Sequence, residues 1–222
     1  MIISNGHVSG YDIIGVVHGC AQAVRLLLLE LGYHEQQGVW RHPERKAVFV
    51  GDIIDRGVQI REAMQLVRHM VDTGSAYLVL GNHEYNAVAW AAPLDVAPDS
   101  PQRQFQLRLA RHLQETLHEY RFHEAEWRDT VAWLRQQPLC LEFANFRVVH
   151  ACWDHLRIGQ VQSVHDGCAL LDDQFLLDSM QRGSEAYRAV VSIMVSSGTC
   201  TPPGCTADSY RCSLSNTPFQ RS

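Results

Sequence analysis

With 222 residues, 46% of them hydrophobic, the chain can bury one sizeable core, and a single α/β domain is expected. A net charge of −5, with Lys46 as the only lysine, argues against general nucleic-acid binding through a basic surface. Met1 to His7 lack a basic region followed by an apolar stretch, so no secretory leader is expected, and the apolar run Leu26 to Leu29 is far too short to cross a bilayer. A cytoplasmic chain with reduced thiols and no membrane association follows as the expectation. Cys20 and Cys152 then read as small packing residues.

Along the chain, Tyr11 to Val17 reads as a first buried strand. Val24, Leu27, Leu28 and Leu31 then follow helical spacing up to a stop at Gly32. Ala47 to Val50 is a short β-prone run, and Ile60, Ala63, Met64, Val67, Met70 and Val71 line one face of a second helix. Ala76 to Leu80 reads as another strand, followed by a short helix from Asn82 to Trp90 and a loop carrying Pro93, Pro98 and Pro101. Residues 102–136 are expected to be largely helical; His112, His118 and His123 within them lack ligand spacing and read as exposed or packing groups. Leu139 to Phe143 and Arg147 to Ala151 form a strand pair around Asn145, and Asp172-Asp173 reads as a solvated helix start. Strands and helices alternating in this order indicate α/β layering.

Two stretches carry the chemistry: Gly51-Asp52-Ile53-Ile54-Asp55-Arg56-Gly57 and Gly81-Asn82-His83-Glu84. Each follows a β-prone run and precedes a helical pattern, the usual place for a ligand site in an open α/β sheet. Together they offer carboxylates, an amide oxygen, an imidazole and a guanidinium, a set suited to divalent metals with a phosphate. A phosphate ester resists attack because its oxygens are negative and its leaving group is poor. Two metal ions roughly 3.5–4 Å apart hold both the attacking and the phosphoryl oxygens. Such a pair needs a bridging carboxylate, for which Asp52 is the candidate. Asn82 offers a neutral oxygen, and His18 and His150 offer imidazole nitrogens. Arg56 presents a planar fork that matches two phosphate oxygens. His83 is placed to protonate a leaving oxygen, with Asp55 orienting its ring. Glycines 51, 57 and 81 permit tight turns and close backbone approach to an anion. Helix capping is the plain alternative for Asp52, Asp55 and Asn82, but it leaves Arg56, His83, His18 and His150 unaccounted for.

Gly15-Val16-Val17-His18-Gly19, the two stretches above and Val148-Val149-His150-Ala151 resemble, in that order, the motif blocks of the calcineurin-like metallophosphoesterases. The Asp-Arg-Gly form of the first stretch is similar to the branch holding serine/threonine phosphoprotein phosphatases and bacterial symmetrical diadenosine tetraphosphatases. The resemblance implies a four-layer α/β/β/α sandwich and a binuclear centre of manganese, iron or zinc. It implies attack by a metal-bound hydroxide on the phosphate ester of a phosphorylated substrate, a phosphoprotein or a nucleotide polyphosphate. It also implies His18 on the first metal, Asp52 bridging, Asn82 and His150 on the second, Arg56 gripping phosphate, and Asp55 with His83 as the acid pair. By the same resemblance, residues 102–136 are the variable helical cap that shapes substrate access.

The chain departs from this pattern in two places. Val16 stands where the family has an aspartate ligand of the first metal, and Asp12 lies about 13 Å too early along the strand to replace it. No Gly-His pair follows His150, although the family closes its site with one. The first metal then keeps His18 and Asp52, and the second keeps Asp52, Asn82 and His150. Two protein ligands rarely hold a metal against water, whereas three can, so one ion is expected here rather than two. Ala151-Cys152-Trp153 also departs from the Gly-Gly common in phosphoprotein phosphatases, which weakens the case for a protein substrate.

Helical periodicity is read to stop after Val190, which sets the domain at 1–190. Residues 191–222 turn rich in Ser, Thr, Cys, Pro and Gly and read as an aberrant or disordered tail, leaving the sandwich incomplete at its C-terminal end. Cys200, Cys205 and Cys212 there lack the close pairs of a zinc site. The expected activity is a metal-dependent phosphoesterase impaired by Val16 and the missing histidines. The alternative is a non-catalytic remnant that binds a single metal or a phosphorylated ligand.

Overall fold

The computed structural model describes residues 2–3, 8–164 and 171–195. The tail reading for 196–222 lies outside the described residues. In chain order the elements are β1 (Ile2–Ile3), β2 (Gly10–Ile14), α1 (Ala21–Glu30), β3 (His34–Gln36), β4 (Val39–Arg41), β5 (Arg45–Phe49), α2 (Ile60–Asp72), β6 (Ala76–Leu78) and α3 (Asn82–Ala91). Next come α4 (Pro101–His112), α5 (Gln114–Tyr120), α6 (Glu124–Leu134), β7 (Cys140–Phe143), β8 (Arg147–Val149), α7 (His155–Val164), α8 (Asp173–Ser179) and α9 (Glu185–Met194). The fold is α/β.

Strands β2, β5 and β6 form a parallel sheet in the order β2-β5-β6. A parallel strand with both faces covered reads as a continuous apolar run, and Ala47, Val48 and Phe49 of β5 are all buried. Alternate side chains enter different clusters. Ala47 and Phe49 pack with Ile60, Met64, Val67 and Met70 of α2. Val48 instead meets Leu141, Phe143 and Val148 of a second sheet, ordered β1-β7-β8. The first sheet is therefore covered by helices on one face and by the other sheet on the opposite face. The strand pair expected around Asn145 is present as antiparallel β7 and β8.

The buried strand expected over Tyr11 to Val17 is shorter and less enclosed. It ends at Ile14, lies at the sheet edge, and leaves Ile13 54% exposed. Beyond it the N–H groups of Val17 and His18 turn away from strand pairing and donate to the Asp52 carbonyl. Helix α1 closes as expected at Gly32, whose φ of +85° lets the Tyr33 N–H reach the Leu28 carbonyl. The β3–β4 hairpin was not expected. Its Gln37-Gly38 turn has φ of 53° and 79°, the left-handed pair that suits a two-residue connection.

Residues 102–136 are largely helical, and His112, His118 and His123 are all exposed. Asp172 caps α8 by accepting the Phe175 N–H at 2.7 Å. Helix α9 runs to Met194, four residues past the point where its periodicity was read to end. Ile193 and Met194 are buried, and the Ile193 carbonyl accepts the Ala151 N–H at 3.0 Å, so tertiary contacts hold this stretch. Cys152 is disulfide-bonded, which corrects the reading of it as a reduced packing thiol, and Cys20 is an exposed thiol and not a packed one. Among the described residues no helix is long and apolar enough to cross a membrane.

Candidate metal centre

His18, Asp52, Asn82 and His150 all lie just past the C-terminal ends of strands, on segments following β2, β5, β6 and β8. The first two loops are fastened by their backbones. The Asp52 carbonyl accepts N–H groups from Val17 at 3.0 Å and His18 at 2.8 Å, and Ile53 accepts from Gly19 at 2.8 Å. Four non-glycine residues here are left-handed: His18 (φ 43°), Asp52 (φ 53°), Asp55 (φ 65°) and Arg56 (φ 64°). Each such residue costs about 1–3 kcal/mol and persists only where its surroundings over-determine it.

The donor set is arranged around one carboxylate oxygen. His18 Nδ1 donates to the Ile54 carbonyl at 2.9 Å, and His150 Nδ1 donates to the Val50 carbonyl. In the neutral ring each then presents an Nε2 lone pair, the arrangement metal-ligating histidines use. Those two nitrogens lie 3.8 and 3.5 Å from the same Asp52 Oδ2. Neither distance is a hydrogen bond. Acceptors thus face an acceptor, which is unfavourable until a cation sits between them. Metal bonds of about 2.1 Å at a tetrahedral angle would separate N and O by about 3.4 Å, close to this spacing. His83 also reaches the cluster, since His18, Asp52 and His83 offer ligand atoms within 4.8 Å of one another. The residues present therefore fit a divalent cation.

His83 and Asp55 are in direct contact. His83 Nδ1 donates to Asp55 Oδ2 at 2.7 Å, which leaves Nε2 outside that bond, and the His18 and His83 rings meet edge-on at 4.7 Å. Burial pulls the His83 imidazole down, but the bond to Asp55 and the charges of Asp52, Asp55 and Glu84 outweigh it and hold the ring above its ordinary range. Arg56 is exposed and makes no hydrogen bond or ion pair among the described residues. Asn82 opens α3 half-buried. Val16 is 56% exposed and brings no ligand atom to the cluster, and Asp12 is engaged elsewhere by the Tyr33 hydroxyl at 2.9 Å and by Arg45.

Two groups that hold these loops in place escaped the sequence reading. Glu84 is fully buried, and its carboxylate accepts N–H groups from Asp52 (2.7 Å), Ile53 (2.7 Å), Ile54 (3.2 Å) and Gly81 (3.0 Å). Burial and the Asp52 charge push this carboxyl up, while the N–H bonds from the Asp52–Ile54 loop pull it down. It locks that loop to the start of α3. Its position three residues into the helix start, where Glu reaches back to the N-cap, was the available signal. Thr116, on α5, hydrogen-bonds Asp55 from 61 residues away and carried no signal at all.

The close approach that the glycines permit is between the motif loops themselves. A Cβ at Gly81 would lie 2.3 Å from Asp52 Oδ1, and one at Gly57 would lie 2.2 Å from the His18 carbonyl oxygen. Gly57→Ala therefore forces backbone to move. It is expected to cost about 1–3 kcal/mol, read as a lower midpoint in urea denaturation.

The calcineurin-like phosphoesterase family matches residues 12–182, and the chain belongs to that family. Its relatives include the asymmetrical bis(5'-nucleosyl)-tetraphosphatase PrpE of Halalkalibacterium halodurans, 47% identical over 74 residues, which is 33% of this chain and 30% of the relative. The PrpE of Oceanobacillus iheyensis is 45% identical over 73 residues, covering 32% of this chain and 29% of the relative. The matched stretch thus spans less than a third of either relative. Among solved structures, a cold-active protein-tyrosine phosphatase of a psychrophilic Shewanella is similar at 19% identity over 70% of this chain and 47% of that one, with a TM-score of 0.47.

Proposed function

We propose that this chain hydrolyses phosphate ester or anhydride bonds in nucleoside polyphosphates. The observation that carries this reading is the pair of imidazole Nε2 atoms 3.8 and 3.5 Å from one oxygen of Asp52. A bound divalent cation, manganese being the candidate, supplies an activated water and neutralises phosphate charge. We assign it to Asp52, Asn82 and His150, with His18 against the same carboxylate; a second ion lacks a ligand at Val16. Arg56, exposed and without a protein partner among the described residues, takes two phosphate oxygens. Asp55 fixes the His83 ring through Nδ1–H, and His83 Nε2–H gives its proton to the departing oxygen as the P–O bond breaks and water adds to phosphorus. The similarity to proteins named bis(5'-nucleosyl)-tetraphosphatases supports a nucleotide substrate. We assign α4–α6 the part of a cap beside this site.

The test is hydrolysis of a bis(5'-nucleosyl) tetraphosphate and of p-nitrophenyl phosphate with added manganese, against His83→Ala. Turnover above that control supports the reading. A nucleoside triphosphate plus a monophosphate as products would match the asymmetrical cleavage named for the relatives; two diphosphates would indicate symmetrical cleavage. Turnover equal to the control leaves the second reading, a chain that only binds a metal or a phosphorylated ligand, which Val16 favours. Val16→Asp adds a carboxylate two residues before His18. It is expected to tighten manganese binding roughly tenfold, about 1.4 kcal/mol, measured by calorimetric titration.

A further inference from the structure

Helix α5 meets the Asp55–Ile60 loop at both of its ends. The Thr116 hydroxyl accepts the Asp55 N–H at 3.1 Å and donates its own proton to Asp55 Oδ1. Three residues further along α5, Glu119 accepts the N–H groups of Ile60 and Arg61, each at 2.8 Å. Thr116 is 0% and Asp55 1% exposed, so no water competes for these bonds. Asp55 thus divides its carboxylate, with Oδ1 on Thr116 and Oδ2 on His83 Nδ1 at 2.7 Å. Asp55 and Arg56 are consecutive left-handed residues, a conformation that needs support from outside the loop.

We infer that Thr116 is a positioning residue for the Asp55–His83 pair, acting through the Asp55 carboxylate without touching substrate. Its consequence for turnover rests on the proton-donating part proposed for His83. An apolar side chain of the same shape leaves the buried Asp55 N–H without an acceptor and Oδ1 without a donor. The carboxylate is then free to rotate, and the His83 ring loses its fixed partner. A group held by two donors on opposite sides keeps its geometry through the reaction, and small misplacement of such a group is costly.

The experiment compares Thr116→Val and Thr116→Ser in the full chain. In manganese-supplemented hydrolysis of p-nitrophenyl phosphate, Thr116→Val is expected to lower kcat about 10–100-fold, as loss of an orienting partner does elsewhere. KM should stay within about twofold, and Thr116→Ser should recover most of the rate. A second readout needs no turnover. In protein labelled with nitrogen-15 at histidine, the His83 Nδ1–H proton should be strongly deshielded in the wild type and in Thr116→Ser, and lost or shifted in Thr116→Val. That change in a chain that does not hydrolyse would sink the proposed function and leave the positioning role intact. An unchanged proton signal in folded Thr116→Val overturns the inference. Should Thr116→Val not fold, the wild-type Thr116 hydroxyl proton decides: slow exchange with a coupling to Asp55 supports the role, and rapid solvent exchange contradicts it.

Discussion

Asp52→Asn is expected to lower manganese-dependent hydrolysis by roughly 10³-fold, because several kcal/mol of charge stabilisation pass through this carboxylate. The fold should survive. Asp52 fastens the loops mainly through its backbone: its carbonyl takes the Val17 and His18 N–H groups, and its own N–H goes to Glu84. The side chain adds one longer bond, from the His83 N–H to Oδ1 at 3.3 Å. An amide of the same shape keeps that acceptor but removes the charge against which His18 and His150 are set. Calorimetric manganese titration should therefore show binding lost in step with activity, with an unchanged denaturation midpoint. Activity lost while metal binding persists would place the defect in the acid pair instead.

Glu84→Ala should behave in the opposite way, as a stability mutant first. Its carboxylate accepts four backbone N–H groups in a fully buried setting. Each donor left without a partner costs about 1–3 kcal/mol, so even partial relaxation leaves a loss of about 4 kcal/mol. Few single substitutions reach that size. Glu84→Gln keeps one carbonyl oxygen but sets an NH2 group against N–H donors, and roughly half the loss is expected. Urea denaturation of the two variants measures both effects. A Glu84→Ala midpoint equal to wild type would mean that the Asp52–Ile54 loop is held by something else.

The clustering of these residues was legible because its signals are local. Asp52, Asp55, His83 and His150 sit in short stretches at strand ends, and strand ends are readable from apolar runs bounded by glycine. The face of α2 was equally plain: Ile60, Ala63, Met64, Val67 and Met70 are buried as their spacing implied. What escaped depends on partners far along the chain. Glu84 stood inside a recognised stretch, yet the N–H groups it binds on Asp52, Ile53 and Ile54 lie some thirty residues earlier. Thr116 is an ordinary helical threonine until α5 is placed against Asp55. Strand β1 gains its identity only by pairing with β7, as Ile2 and Ile3 stand beside Glu142 and Phe143. The extension of α9 to Met194 has the same origin. Its last turn is anchored by Ala151, and weak local periodicity gives way to that contact.

The two departures from the family pattern carry unequal weight. Val16 is exposed in the loop leading to His18, so the loop keeps its docking on Asp52 with an apolar side chain at this position. A change there is expected to alter metal binding more than architecture. His18 and His150 are still pre-oriented, since each is fixed through its Nδ1 by a backbone carbonyl.

The most direct measurement is an anomalous-difference map from a crystal of the chain soaked in manganese. A peak within bonding distance of Asp52 Oδ2 and His150 Nε2, absent from Asp52→Asn crystals, is the predicted result. No density there at saturating manganese, or a peak that ignores Asp52, would contradict the assignment of this cluster as a cation site.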